Sequence, residues 1–174
     1  MDLQAAHGVN GRSLQPGCTR RLRHMSTKNP VVVLSAARAA LRVEAERALP
    51  DECCGLLAGR GGTVELVVPV ANMSERPRSR YEIAPAELWA ARRGVEAAGL
   101  EVVGYYHSHP RTEAVPSPYD IDRAYYPDAV YVIVGVEPRF EVRAFRIAGG
   151  SVVELDLAGA AGPDDERERN EEGL

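Results

Sequence analysis

The chain has 174 residues, of which 45% are hydrophobic and 26% are charged, so it fits one folded domain with tails and is not wholly disordered. Its formal net charge is -4 at pH 7, with basic residues gathered near the start and acidic residues near the end. The mildly acidic body argues against nucleic acid as the main partner, because duplex binding requires a basic face.

The two ends of the chain lack hydrophobic periodicity. Residues 1–29 are rich in glycine and arginine, which predicts a disordered arm, a targeting segment or a mis-started reading frame with Met25 as the true start. Residues 159–174 have the composition of a solvated acidic tail. The folded domain is therefore expected to span residues 30–158.

Cysteine usage and hydropathy together indicate the compartment. Cys18, Cys53 and Cys54 cannot all pair, and sequence neighbours rarely bridge each other because of disulfide geometry. No stretch approaches the roughly 20 apolar residues that a membrane span requires. We therefore expect a cytoplasmic protein without a membrane partner.

The first half of the body predicts a helix followed by a hairpin. Ser35 is expected to cap a helix that runs to about Leu49, since apolar residues recur there at helical spacing. Two β-rich runs, 53–58 and 63–70, flank a glycine-rich turn and predict a hairpin. A basic loop follows at 72–80.

The second half alternates strand and helix. A second helix should begin at Pro85, which suits a first turn, and end at Gly99, with Leu88, Trp89 and Val95 on its buried face. The remaining predicted elements are a strand at 101–108, a short helix at 118–126 and strands at 130–136, 140–147 and 152–157. This order indicates an α/β domain with a mixed sheet.

Two histidines end the predicted strand 101–108. His107 and His109 project from one face because side chains alternate along a strand, and Pro110 then terminates pairing. Paired imidazoles can bind a metal ion, although histidine is also common at protein surfaces. The pair is a candidate metal site that needs further ligands.

Ser117-Pro118-Tyr119-Asp120 has two interpretations. It has the pattern of a helix start, in which the carboxylate of Asp120 reaches back to the cap. Alternatively, the short loop after Pro110 brings Asp120 beside the histidines. Zinc with two nitrogen ligands and one carboxylate keeps a fourth position for water, as catalytic sites do. Spacing alone favours capping and leaves ligation open.

Glu52 precedes the first apolar strand and is a candidate for the base that such a site requires. Because most glutamates are exposed, it can also be a solvated turn residue after Pro50. Sequence spacing does not place Glu52 beside the metal.

Three separated motifs agree in order and spacing with one known family. They are the glutamate in Asp51-Glu52-Cys53-Cys54-Gly55-Leu56-Leu57, the strand end His107-Ser108-His109-Pro110, and the helix start with Ser117 and Asp120. Together they resemble the JAMM/MPN+ metalloprotease family over about 31–157. The resemblance implies the MPN fold, an α/β domain with a mixed, curved sheet flanked by helices.

The resemblance also implies the roles of the site residues. By it, His107, His109 and Asp120 ligate zinc, Glu52 is the general acid and base, and Ser117 helps to hold the oxyanion.

The chain is further similar to small bacterial members that remove cysteine from a ubiquitin-like sulfur-carrier protein. The segments that carry this similarity are Thr112-Glu113-Ala114, Pro116-Ser117 and Pro127-Asp128-Ala129. The implied partner is a ubiquitin-like or sulfur-carrier protein cleaved after its Gly-Gly tail. Two alternatives stay open: an isopeptidase that frees proteins from ubiquitin-like conjugates, and a metal-free scaffold, against which the complete ligand set argues.

Overall fold

The computed structural model describes residues 30–159 and, as backbone, Arg23–His24. The predicted disordered ends, 1–29 and 159–174, lie outside the described residues apart from Arg23–His24 and Gly159, and so do Met25 and Cys18.

One mixed sheet forms the centre of the described domain. In chain order its strands are β1 (Arg23–His24), β2 (Val31–Val33), β3 (Cys54–Arg60), β4 (Thr63–Val70), β5 (Glu101–His109), β6 (Val130–Gly135), β7 (Glu141–Ala148), β8 (Ser151–Leu155) and β9 (Leu157–Gly159). Their order across the sheet is β1-β8-β7-β6-β5-β3-β4-β2-β9. The predicted hairpin is β3 and β4, while β5 and β6 run parallel to each other.

Three helices cover the sheet within the described residues: α1 (Ser35–Ala48), α2 (Pro85–Ala97) and α3 (Pro118–Asp122). The prediction that Ser35 caps α1 is wrong, because Leu34 is the cap residue and no side chain bonds to the helix start. Within residues 30–159, no helix is long and apolar enough to cross a membrane.

The third helix is shorter than predicted. It ends at Asp122 and does not continue to Tyr126, whose backbone N–H donates instead to the Tyr131 hydroxyl at 3.0 Å. This bond replaces the one that a continuing helix would form.

Both faces of the sheet are buried. Leu57, Tyr106 and Val132 point into a core that includes residues of α1. Their sequence neighbours Leu56, Tyr105 and Ile133 point into the opposite core, against α2 and α3. Since a strand alternates its faces, His107 and His109 share the face of Tyr105, below α2 and α3.

The buried face of α2 differs from the prediction at one position. Val95 is buried and Leu88 packs against the core, but Trp89 is 66% exposed. Trp89 follows Leu88 by one residue and is therefore rotated by about 100° around the helix axis, away from the sheet.

The two described cysteines are both buried thiols. Cys53 packs in the α1-side core, and Cys54 Sγ donates to the Val70 carbonyl at 3.6 Å. Burial raises the pKa of Cys53 to about 11 and that of Cys54 to about 12. Neither thiol is therefore a reactive nucleophile at neutral pH.

Candidate active site

The end of β5 brings the two histidines together. β5 lies between antiparallel β3 and parallel β6, so that His107 is opposite both Cys54 and Ile133. The Nε2 atoms of His107 and His109 lie 3.0 Å apart, and both side chains are buried.

Asp120 reaches this pair from the first turn of α3, and it also caps that helix. Ser117 N donates to Asp120 Oδ2 at 2.7 Å, and Asp120 N donates to Ser117 Oγ at 3.2 Å. At the same time Asp120 Oδ1 lies 3.3 Å from His107 Nε2, and Oδ2 lies 3.4 Å from His109 Nε2. Asp120 therefore caps the helix and faces both histidines at the same time, so the two interpretations of this segment are compatible.

The three side chains have the arrangement of a metal site. One ligand atom from each of His107, His109 and Asp120 lies within 4.8 Å of the others. Ligands at roughly 2.0–2.1 Å from a tetrahedral zinc ion are about 3.3 Å apart, close to the separations found here. In addition, His109 Nδ1 lies 2.8 Å from the Glu113 carbonyl. Donation to that carbonyl leaves Nε2 with its lone pair toward the site.

The charges in this cluster are complementary. Burial raises the pKa of Asp120, but hydrogen bonds with His107 and His109 outweigh it and hold the pKa well below its usual range. Burial lowers the pKa of His107. Burial also lowers the pKa of His109, but hydrogen bonds with Asp120 and the Glu113 carbonyl outweigh burial, so that the net shift of this pKa is upward. The negative charge of Asp120 beside the two imidazoles therefore makes this cluster suited to a bound cation.

Backbone pairing places Glu52 next to the histidines. Cys53 N donates to Ser108 Oγ at 2.9 Å, and Ser108 N donates to the Cys53 carbonyl at 3.0 Å. Ser108 is the residue between the two histidines. Glu52 is 5% exposed, so its interpretation as a solvated turn residue is wrong.

The carboxyl group of Glu52 has an electrostatic environment suited to a nearby cation. Burial raises its pKa to about 8, while the charge of His109 lowers it and that of Asp120 raises it. Among the described residues, Glu52 Oε2 has no hydrogen-bond partner. A buried oxygen of this kind normally contacts water or an ion. Both observations fit a metal at His107, His109 and Asp120.

The basic 72–80 loop holds the Glu52 segment through Asn72. The Asn72 side-chain amide donates to the carbonyls of Glu52 and Arg80, each at 3.0 Å. Its carbonyl oxygen accepts from the backbone N–H groups of Ser74 at 3.0 Å and Glu82 at 3.1 Å. Asn72 thus fixes the loop against the site. The sequence predicted only a basic loop here, because a single asparagine in a loop carries no pattern that marks such contacts.

Tyr81 is a second residue that sequence analysis missed. Its ring stacks on His107 with centroids 4.5 Å apart and planes 23° apart. The stack closes one side of the site and fixes the plane of the imidazole. A tyrosine between a loop and a helix carries no sequence pattern that marks this contact.

Comparison with known proteins agrees with the geometry. The model of the family described as prokaryotic homologs of the JAB domain matches residues 34–148. The desampylase of Haloferax volcanii is 40% identical over 111 residues, 63% of this chain and 78% of the relative. The CysO-cysteine peptidase of Mycobacterium tuberculosis is 40% identical over 119 residues, 66% of this chain and 81% of the relative.

A solved structure is similar over most of its length. The solution structure of protein DSY2949 from Desulfitobacterium hafniense superposes with a TM-score of 0.68 at 31% identity, covering 75% of this chain and 94% of that one. The motifs at Glu52, His107–His109 and Ser117–Asp120, the mixed sheet and these similarities agree. The chain belongs to the JAMM/MPN family, as a prokaryotic homolog of the JAB domain.

Proposed function

We propose that this protein is a zinc-dependent peptidase that hydrolyses the bond after the C-terminal Gly-Gly of a ubiquitin-like or sulfur-carrier protein. The observation that carries the proposal is the convergence of His107, His109 and Asp120 in a buried site next to Glu52. Two imidazole nitrogens and a carboxylate leave a coordination position for water, which is typical of a catalytic zinc site.

Glu52 would act as the general base and then as the general acid. A bound zinc ion would polarise the scissile carbonyl and lower the pKa of water from about 16 toward 7. Its positive charge would also lower the pKa of Glu52 from about 8, which favours the carboxylate form. Glu52 would then accept a proton from the attacking water and return it to the leaving amine.

Ser117 would hold the developing oxyanion of the substrate carbonyl. Its oxygen accepts a hydrogen bond from Asp120 N, and its own O–H is left to donate. A donor fixed in this way by a helix cap is preorganised, as oxyanion stabilisation requires.

The names of two relatives, a desampylase and a CysO-cysteine peptidase, support this substrate class. A Gly-Gly tail lacks Cβ atoms and can enter a narrow passage in an extended conformation. The released group would be a single amino acid, such as cysteine. The desampylase relative supports a second candidate, an isopeptidase that cleaves conjugates.

The test is hydrolysis of a carrier protein that ends in Gly-Gly-Cys, followed by mass spectrometry. The zinc-loaded protein should release cysteine, and Glu52→Gln should keep its zinc but lose at least roughly 100-fold in rate, because the amide cannot accept a proton. Full activity in Glu52→Gln would contradict the assignment. The same carrier linked to a lysine side chain tests the isopeptidase candidate in parallel.

The ligand set has its own test. His109→Ala should lower the zinc content of the purified protein, because two ligands hold zinc less tightly than three. Glu52→Gln is the control, since Glu52 is not a proposed ligand. Unchanged zinc in His109→Ala would remove His109 from the set.

A further inference from the structure

A cavity of about 510 Å³ lies between the 72–80 loop, the start of α2 and Tyr119. Two arginines of the loop, Arg76 and Arg80, line it, and so do Glu75 and Glu82. Tyr119 immediately precedes Asp120. The cavity and the proposed metal site therefore share the first turn of α3.

Contacts on two sides place Arg80 at the boundary between this cavity and the metal site. The residue that follows it, Tyr81, stacks on His107. The Arg80 guanidinium lies over the ring of Tyr119, 4.6 Å from its centroid. Its carbonyl is held by Asn72. The Arg80 side chain thus contacts Tyr119, which precedes the proposed ligand Asp120. Its chain neighbour Tyr81 contacts the proposed ligand His107.

The charge of Arg80 is available for a ligand. Within residues 30–159 neither Arg80 nor Arg76 forms an ion pair, even with the two glutamates of the cavity. By contrast, Arg123, on the same tyrosine ring, pairs with Asp122 and donates to the Tyr125 hydroxyl. Stacking occupies the face of a guanidinium and leaves the N–H groups along its edge, which match a carboxylate in two-point geometry.

We infer that Arg80 is a specificity-determining residue that binds the free α-carboxylate of the amino acid released from the carrier tail. The inference rests on the proposed function. Consecutive Cα atoms are only about 3.8 Å apart, so the carboxylate of a single leaving residue stays close to the scissile bond. A group that recognises it must border the metal site, where Arg80 lies.

This assignment separates two substrate classes. A Gly-Gly-Xaa terminus presents a carboxylate next to the scissile bond. A lysine side chain joined through an isopeptide bond presents a long alkyl chain and no carboxylate at that distance. Arg80 therefore favours release of one terminal amino acid over cleavage of protein conjugates.

The experiment measures binding, so that it does not depend on turnover. Two peptides with the sequence Leu-Arg-Gly-Gly-Cys, one ending in the free acid and one in the carboxamide, are titrated into zinc-loaded Glu52→Gln by calorimetry. The acid should bind roughly 10- to 100-fold more tightly, as a charge-assisted hydrogen-bonded pair does. When Arg80→Gln is added to the Glu52→Gln protein, the ratio of the carboxamide Kd to the free-acid Kd should fall toward one.

Arg78→Gln is the matched control. Arg78 is in the same loop but is exposed and faces Asp51 at 3.9 Å, so the ratio should persist in that variant. Thermal unfolding confirms that each variant is folded. An unchanged ratio after Arg80→Gln, or no preference in the parent, would overturn the inference. Because the readout is a Kd ratio, failure of hydrolysis in the unmutated protein would count against the proposed function alone.

Discussion

Glu52 and Asp120 are two buried carboxyl groups whose surroundings shift their pKa values in opposite directions. Burial raises the pKa of Glu52 to about 8, whereas the histidines hold the pKa of Asp120 well below its usual range. In the proposed mechanism, two carboxyl groups that differ in this way would divide the roles of proton carrier and permanently charged ligand.

The raised pKa of Glu52 makes a prediction about the metal-free protein. Since the folded-state pKa, about 8, exceeds the unperturbed 4.5, the stability that Glu52 contributes is fully present below about pH 4.5 and is lost as pH rises through 8. Glu52→Gln lacks this dependence. When a chelator has removed the metal from both proteins, the free energy of unfolding of Glu52→Gln should rise relative to that of the unmutated protein. The rise should be on the order of a few kcal/mol between pH 4.5 and 8. Urea unfolding of both proteins at both pH values measures this difference. The same change in unfolding free energy with pH in the two proteins would contradict the prediction.

Sequence alone could predict the two histidines but not their partners. Strand alternation is enough to put His107 and His109 on one face. The positions of Glu52 and Asp120 depend on contacts between segments far apart in sequence, such as the Cys53–Ser108 pairing. From the sequence, only the resemblance to a family suggested roles for Glu52 and Asp120.

At the scale of elements, the first turn of α3 combines a helix cap with the site. Ser117→Ala should destabilise the protein by about 1 kcal/mol, because the cap acceptor is lost. It should also lower the rate of hydrolysis by about 100-fold or more, because an oxyanion donor is lost. Ser117→Thr keeps the hydroxyl and should restore both properties. Chemical denaturation and steady-state rates measure the two effects, and wild-type hydrolysis by Ser117→Ala would exclude the oxyanion role.

The parallel pair β5 and β6 approaches too closely at Gly104 for a side chain. A Cβ there would lie 2.0 Å from the Val130 carbonyl oxygen, so β6 would have to move away from the strand that carries the histidines. Gly104→Ala should therefore destabilise the fold by roughly 2 kcal/mol or more. Gly94→Ala is the control, because open space surrounds this glycine in α2, and it should stabilise by about 0.5–1 kcal/mol. Equal melting temperatures for the two variants would contradict the packing argument.

Elements with strong periodicity were predictable, and those that depend on tertiary contacts were not. The hairpin of β3 and β4 and the end of α2 at Gly99, where φ is 71°, follow from turn residues. β2 was not predicted as a strand, because three residues carry no period and their pairing with β4 and β9 is long-range. The predictions that Trp89 is buried and that Ser35 caps α1 were wrong. The residue types alone do not fix how α2 is rotated against the sheet or which residue begins α1.

At the scale of the molecule, the site joins segments from the start of β3, the end of β5 and the start of α3. Metal binding should therefore stabilise the whole fold, by about 2.7 kcal/mol at 100 times the Kd. The melting temperature should fall when a chelator removes the metal. In His109→Ala the chelator should lower the melting temperature by less than it does in the unmutated protein. An equal chelator effect in both proteins would place the metal elsewhere.

The proposed function depends on a catalytic zinc ion held by His107, His109 and Asp120. Zinc per chain, measured by plasma mass spectrometry on protein purified without chelator and then dialysed against a small excess of zinc, tests it most directly. We expect about one zinc per chain, as for a site with three protein ligands, and a lower zinc content in His109→Ala. A chain that binds no zinc under these conditions would contradict the proposed function and would favour a metal-free scaffold.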